Sequence, residues 1–125
     1  MFSRRSMLLT GAAAALAGLT GAARAHHGWV WAEDALVDIT GVIKSAKLGN
    51  PHGLLTVTAK DGDWTVEVGQ PWRNSRAGLA DAMLAKGVTL TVRGNRTKDP
   101  KQKVIKAVRI IIAGKNYDLY PERLS

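Results

Sequence analysis

The chain has 125 residues, a formal net charge of +8 and no cysteine. A disulfide framework, a thiolate metal site and a cysteine nucleophile are therefore excluded. The length allows one small core, so stability must come from apolar burial and backbone ladders, helped by any ligand the fold holds.

Residues 1–25 read MFSRRSMLLTGAAAALAGLTGAARA. Arg4 and Arg5 give a short positive start, and an Ala-, Leu- and Gly-rich apolar run follows. Ala23-Arg24-Ala25 then places small residues where a signal peptidase reads. The SRRSMLL stretch has the form of a twin-arginine export signal, a route for proteins that cross the membrane already folded. The competing readings are a transmembrane anchor and a buried helix. The run is too short and glycine-rich for the roughly 20 strongly apolar residues that a span needs. The order of the three parts predicts export to the periplasm, cleavage after Ala25 and no transmembrane segment in the mature chain. Cleavage removes Arg4, Arg5 and Arg24 from the 18 basic residues and none of the 10 acidic ones. The mature charge then falls to about +5.

Residues 26–34, HHGWVWAED, have no clean period and form an N-terminal arm. From Ala35, ALVDITGVIKSAKL alternates as a strand, and Gly41 within it predicts a bulge or sharp bend. GNPHG at 49–53 is a turn, LLTVTAK at 54–60 a strand, DGD at 61–63 a tight hairpin and WTVEVG at 64–69 a third strand. The period then changes. NSRAGLADAMLAKG at 74–87 carries Ala77, Leu79, Met83 and Leu84 at helical spacing, with Asn74 or Ser75 as N-cap and Gly87 as the stop. VTLTVRG at 88–94 and VIKAVRIIIAG at 104–114 are strands around the basic loop NRTKDPKQK. Residues 115–125 form a C-terminal tail with room for a short last strand.

The order strand, strand, strand, helix, strand, strand over residues 35–114 predicts a mainly β fold. It is that of an OB-like five-stranded barrel with one helix between strands three and four. A split sandwich with one packed helix is the rival architecture.

Three groups of residues carry the candidate chemistry. Cleavage after Ala25 makes His26 the first residue, whose amine and ring Nδ1 chelate a divalent ion in one small ring. His27 and His52 are the remaining imidazoles in the chain. Tetragonal nitrogen coordination suits copper(II), with zinc as the second choice. The competing reading is a solvated arm and an ordinary turn histidine. Trp29, Trp31, Trp64 and Trp72 are the second group: they either pin the arm and fill the core or present a stacking face beside Arg73 and Arg76. Lys98, Lys101, Lys103 and Lys106 with Arg93, Arg96 and Arg109 are the third. Such a basic loop on an OB barrel points to nucleic acid in the cytoplasm. Export argues against that partner and leaves a solvated loop or a contact with an anionic membrane surface.

No serine–histidine–acid arrangement and no phosphate loop occurs, so the expectation is a binding protein rather than an enzyme. A mononuclear copper oxidase is the enzymatic alternative. Asp61 and Asp63 read as hairpin residues, and Glu67 alternates into a strand, facing solvent or supporting the arm. The expected ligand is a metal ion or small organic molecule, or else a periplasmic protein partner.

HHGW after the export signal, ITGVIKSAKLGNPHGLLTV, WTVEVGQPWRNSRAGL and GVTLTVRGNRTKD together resemble a family of small exported bacterial proteins of unknown function. The resemblance spans residues 26–114 and implies a single periplasmic OB-like barrel. It singles out His26, His27, Asn50, Pro51, His52, Trp64 and Glu67 as motif positions, with no activity attached. A shared site formed by the arm and the NPHG turn is what those positions imply.

Overall fold

A computed structural model describes residues 28–124. The stretch read as a signal and the paired His26 and His27 lie outside the described residues. Ala32–Ser125 forms one compact unit.

Six strands build that unit: β1 (Val37–Lys47), β2 (Leu54–Ala59), β3 (Gly62–Glu67), β4 (Thr89–Arg96), β5 (Val104–Ile112) and β6 (Lys115–Asp118). They run in the order β3-β2-β1-β4-β5-β6, and β3 pairs again with β5 in parallel. That pairing closes five strands into a barrel. The fold is mainly β, an OB-like barrel with one short helix, α1 (Pro71–Arg76), between β3 and β4. Strand β6 falls in the C-terminal stretch and pairs with the far half of β5. Among the described residues no helix is long and apolar enough to cross a membrane.

Strand β1 serves both halves of the barrel. It pairs with β4 over Val37–Val42 and with β2 over Gly41–Lys47. Gly41 lies in the overlap, opposite Ala59 on one side and Leu90 on the other. A Cβ at Gly41 would stand 2.3 Å from the Thr58 carbonyl oxygen, so only glycine lets the strands approach this closely. The bulge itself falls just beyond, between Ile43 and Ser45. Alternation along the strands sends Ile39, Ile43, Leu55, Val57, Trp64, Val66, Leu90, Val92, Ile105 and Ile110 into one core.

The connection between β3 and β4 differs from the expected helix over 74–87. Helix α1 starts at Pro71, whose fixed φ suits the first helical position. It ends at Arg76, and Gly78 with φ +84 turns the chain out of helical geometry. A separate 3-10 turn covers Asp81–Leu84. Leu79 and Leu84 still reach the core, which explains the helical spacing of the sequence. Met83, which shares that helical spacing, is 36% exposed.

Replacing Gly41 with alanine is expected to cost about 2 kcal/mol or more by overpacking the β1–β2 contact. The urea midpoint of the variant checks it, and a midpoint equal to wild type would contradict the close approach.

Candidate functional site

The parallel seam between β3 and β5 is three residues long: Thr65 faces Val104, Val66 faces Ile105 and Glu67 faces Lys106. Val66 and Ile105 point into the core, so their neighbours Glu67 and Lys106 point to the outer surface of the barrel. Both are nevertheless buried, at 5% and 4% exposure. The Lys106 Nζ donates toward Glu67 Oε1 at 3.1 Å. A buried ammonium and carboxylate of this kind are tolerable only as a pair.

His52 joins this pair from the β1–β2 connection. Its Nε2 stands 3.7 Å from Glu67 Oε1, and its side chain is 18% exposed. The backbone accounts for the placement. Val68 N–H donates to the Gly53 carbonyl at 2.9 Å, and Gly53 N–H reaches the Gly69 carbonyl at 3.4 Å. These bonds extend the β2–β3 ladder by a step and bring the residue before Gly53 alongside Glu67. Asn74 then holds the end of the ladder. Its buried amide accepts from Gly69 N–H at 3.0 Å and donates to the Gly69 carbonyl at 3.1 Å. One side chain thus satisfies both backbone groups of Gly69. Asn74, expected as an N-cap, acts inside the helix as a clamp between α1 and the β3 exit.

The C-terminal segment completes the cluster. Leu119 and Tyr120 N–H both donate to the Val108 carbonyl, at 2.9 and 3.1 Å. The Tyr120 ring lies 5.7 Å from Lys106 Nζ and 4.1 Å from the Arg73 guanidinium carbon. Arg73 also donates to the Leu119 carbonyl at 3.0 Å and stacks 4.6 Å from the Trp72 ring. Arg73 is therefore a cation held between two aromatic faces. Burial raises the Tyr120 phenol above its ordinary value of 10.0, while Arg73 pulls it down and Glu67 and Glu122 push it up.

Of the residues singled out in the sequence, His52, Glu67, Trp72 and Arg73 lie along one continuous chain of contacts through Lys106 and Tyr120. Asn50 and Pro51 form the turn that leads into His52, with a cis peptide between them. Trp64 points the other way, into the core, at 4% exposure. Trp29 and Trp31 are each half-buried and precede the barrel unit. The basic group divides. Arg93 pairs with Asp38 and Arg109 with Asp118, Arg96 covers the Trp64 ring at 5.0 Å, and Lys106 is buried at the seam. Lys98 and Lys101 remain on the exposed loop. Lys106 had one signal in the sequence, a lone lysine inside the apolar run VIKAV. Tyr120 had none.

Chemically, the cluster can fix an imidazole. At 3.7 Å the Glu67 carboxylate lies beyond hydrogen-bond reach of the ring but faces one of its nitrogens, and its charge favours that ring orientation.

The architecture defines a small OB-like barrel domain. The chain belongs to the DUF6152 family, a family of unknown function whose model matches residues 13–106. No curated protein matches. Among solved structures, the chain is similar to the ZRD-deleted mutant of TiaS in complex with agmatine. The two are 18% identical, with 67% of this chain and 26% of that chain covered, at a TM-score of 0.51. It is also similar to a chain of the S. pombe Stn1–Ten1 complex, 14% identical, covering 64% of this chain and 59% of that one, at a TM-score of 0.51. The chain thus spans less than two thirds of each of these proteins. At such identities the likeness is one of fold.

Glu67→Gln is expected to lose about 3 kcal/mol of stability by burying the Lys106 ammonium without its carboxylate. Glu67→Leu combined with Lys106→Met should return to within about 1 kcal/mol of wild type. Denaturant titration of the three proteins decides the matter, and an unchanged Glu67→Gln variant would show the seam pair to be solvated. For Tyr120, the raised folded pKa means that its contribution to stability is complete below pH 10 and disappears as pH rises through the folded value. Ultraviolet titration of tyrosinate should show a component above 10.0 that Tyr120→Phe removes.

Proposed function

We propose that this protein is an exported single-domain binding protein that takes copper(II) at its mature amino terminus. In this reading cleavage after Ala25 frees the His26 amine, which chelates together with the His26 ring. His27 and His52 supply further imidazoles, and zinc is the weaker alternative. Sequestration, delivery or sensing of the ion in the periplasm would be its role, with Trp29 or Trp31 shielding it.

The observation that supports the reading is the setting of His52. Its ring is largely withdrawn from solvent and stands 3.7 Å from a carboxylate that Lys106 holds in place. Metal-ligating histidines are oriented by such carboxylates, and loss of one weakens metal binding by about 10- to 100-fold. Among the described residues no three His, Asp or Glu side chains gather to hold a metal ion. The proposal therefore depends on His26 and His27 for the remaining donors.

A second reading rests on Trp72, which is 51% exposed with Arg73 and Arg76 at 4.6 and 5.8 Å from its ring. This face would serve a planar ligand or a protein partner without any metal. Ligand binding that Trp72→Ala abolishes, in a protein without one-to-one copper(II) binding, would favour it over the first.

Isothermal titration of the protein beginning at His26 should give one-to-one copper(II) binding. Adding one residue ahead of His26, or replacing His52 with alanine, should each weaken it about tenfold or more. Wild-type affinity in the extended protein would remove the amine from the site, and wild-type affinity in His52→Ala would remove the turn.

A further inference from the structure

Strand β1 pairs with β2 only from Gly41 onward. Its first residues, Val37–Thr40, therefore diverge from the tip of the β2–β3 hairpin. Between them lies a groove of about 520 Å³. Buried Ile39 and Trp64 and half-buried Ala59 give it an apolar body, and Asp38, Lys60, Asp61 and Arg96 give it charge. Trp64 and Glu67 point to opposite faces of β3, so the groove shares no residue with the His52 cluster.

We infer that this groove binds a small organic anion with a flat apolar body. The volume is that of small-molecule sites, about 300–1,000 Å³, and an apolar wall with a few polar groups is their usual composition. The Trp64 indole, 4% exposed beneath Arg96, gives the groove part of its floor.

Charge decides the rest. Both Asp38 oxygens accept from Arg93, at 2.8 and 3.0 Å, and this pairing holds the carboxyl below the ordinary carboxylate value. Asp61 accepts the Trp64 indole N–H at 2.9 Å and is held low chiefly by that bond, with Lys103 and Arg96 adding to it. Asp38 is thus matched by Arg93, whereas Asp61 has one oxygen engaged by the indole and its charge faced by Lys103. The Lys60 side chain is exposed at the hairpin tip. Arg96 lies 5.0 Å over the Trp64 ring and gives Nη2 to the Gln102 carbonyl. A guanidinium carries five N–H donors in all. The groove's cations, Lys60 and Arg96, flank the apolar wall. An anionic head group on a flat body meets both requirements.

The test is fluorescence titration with anilinonaphthalene sulfonate, beside its uncharged analogue N-phenylnaphthylamine, with a chelator present so that copper plays no part. Saturable one-site binding of the sulfonate is expected, about fivefold or more tighter than the neutral analogue. Lys60→Glu should weaken the sulfonate by about fivefold or more and leave the analogue unaffected. Ala59→Phe, which fills the groove, should abolish both while the protein keeps a cooperative thermal transition. The proposal is overturned if sulfonate and analogue bind alike, or if no saturation is reached by about 1 mM. Wild-type binding by Lys60→Glu would also overturn it, and that variant lies on the exposed hairpin tip where folding is not at risk.

Discussion

The parallel contact between β3 and β5 is the constraint on which the molecule depends. Its inward pair, Val66 and Ile105, seals the core, and its outward pair, Glu67 and Lys106, is a buried ion pair. A hydrophobic contact alone would close the barrel with some freedom of register. Slipping either strand by one residue would turn its own charged side chain, lysine or glutamate, into the core and strand the other, where an unpaired charge is costly. The ion pair therefore fixes the register that the apolar contact seals. His52, Arg73 and Tyr120 have their places because that register holds.

Strand β3 divides the chemistry of the protein in two. Its alternation sends Trp64 to the inner face and Glu67 to the outer one. One strand thereby contributes the aromatic wall of the groove and the carboxylate of the histidine cluster. The two places differ in character. The outer cluster is narrow, polar and tightly tied, which suits the orientation of a single donor atom. The groove is open and largely apolar, which suits the body of an organic molecule.

Much of the fold was legible in the sequence because period-2 alternation over each strand is a local signal. Gly41 inside a strand marked an irregularity, and the bulge itself falls just beyond it, between Ile43 and Ser45. The helix was less legible: Leu79 and Leu84 have helical spacing, yet they enter the core from a loop and a 3-10 turn. At the site, His52 and Glu67 stood out by type and pattern, but their contact is set by the Gly53–Val68 ladder. Lys106 looked like a member of a solvated basic loop, because its partner is fixed by a long-range register that no local window contains. Tyr120 reaches the cluster only through its bonds to Val108, and the tail sequence carries no sign of that. His26 and His27 lie outside the described residues.

The division of β1 between two partners has a consequence for how the chain comes into being. Its second half finds β2 within a few residues, whereas its first half needs β4, and β3 needs β5. A nascent chain that has produced only β1 to β3 therefore presents a three-stranded piece with Ile43, Val57 and Trp64 uncovered. Such contacts between distant segments form slowly, and open sheets of this kind are prone to aggregate. The exposed face of that half-barrel is covered once β4 and β5 have joined β1 and β3.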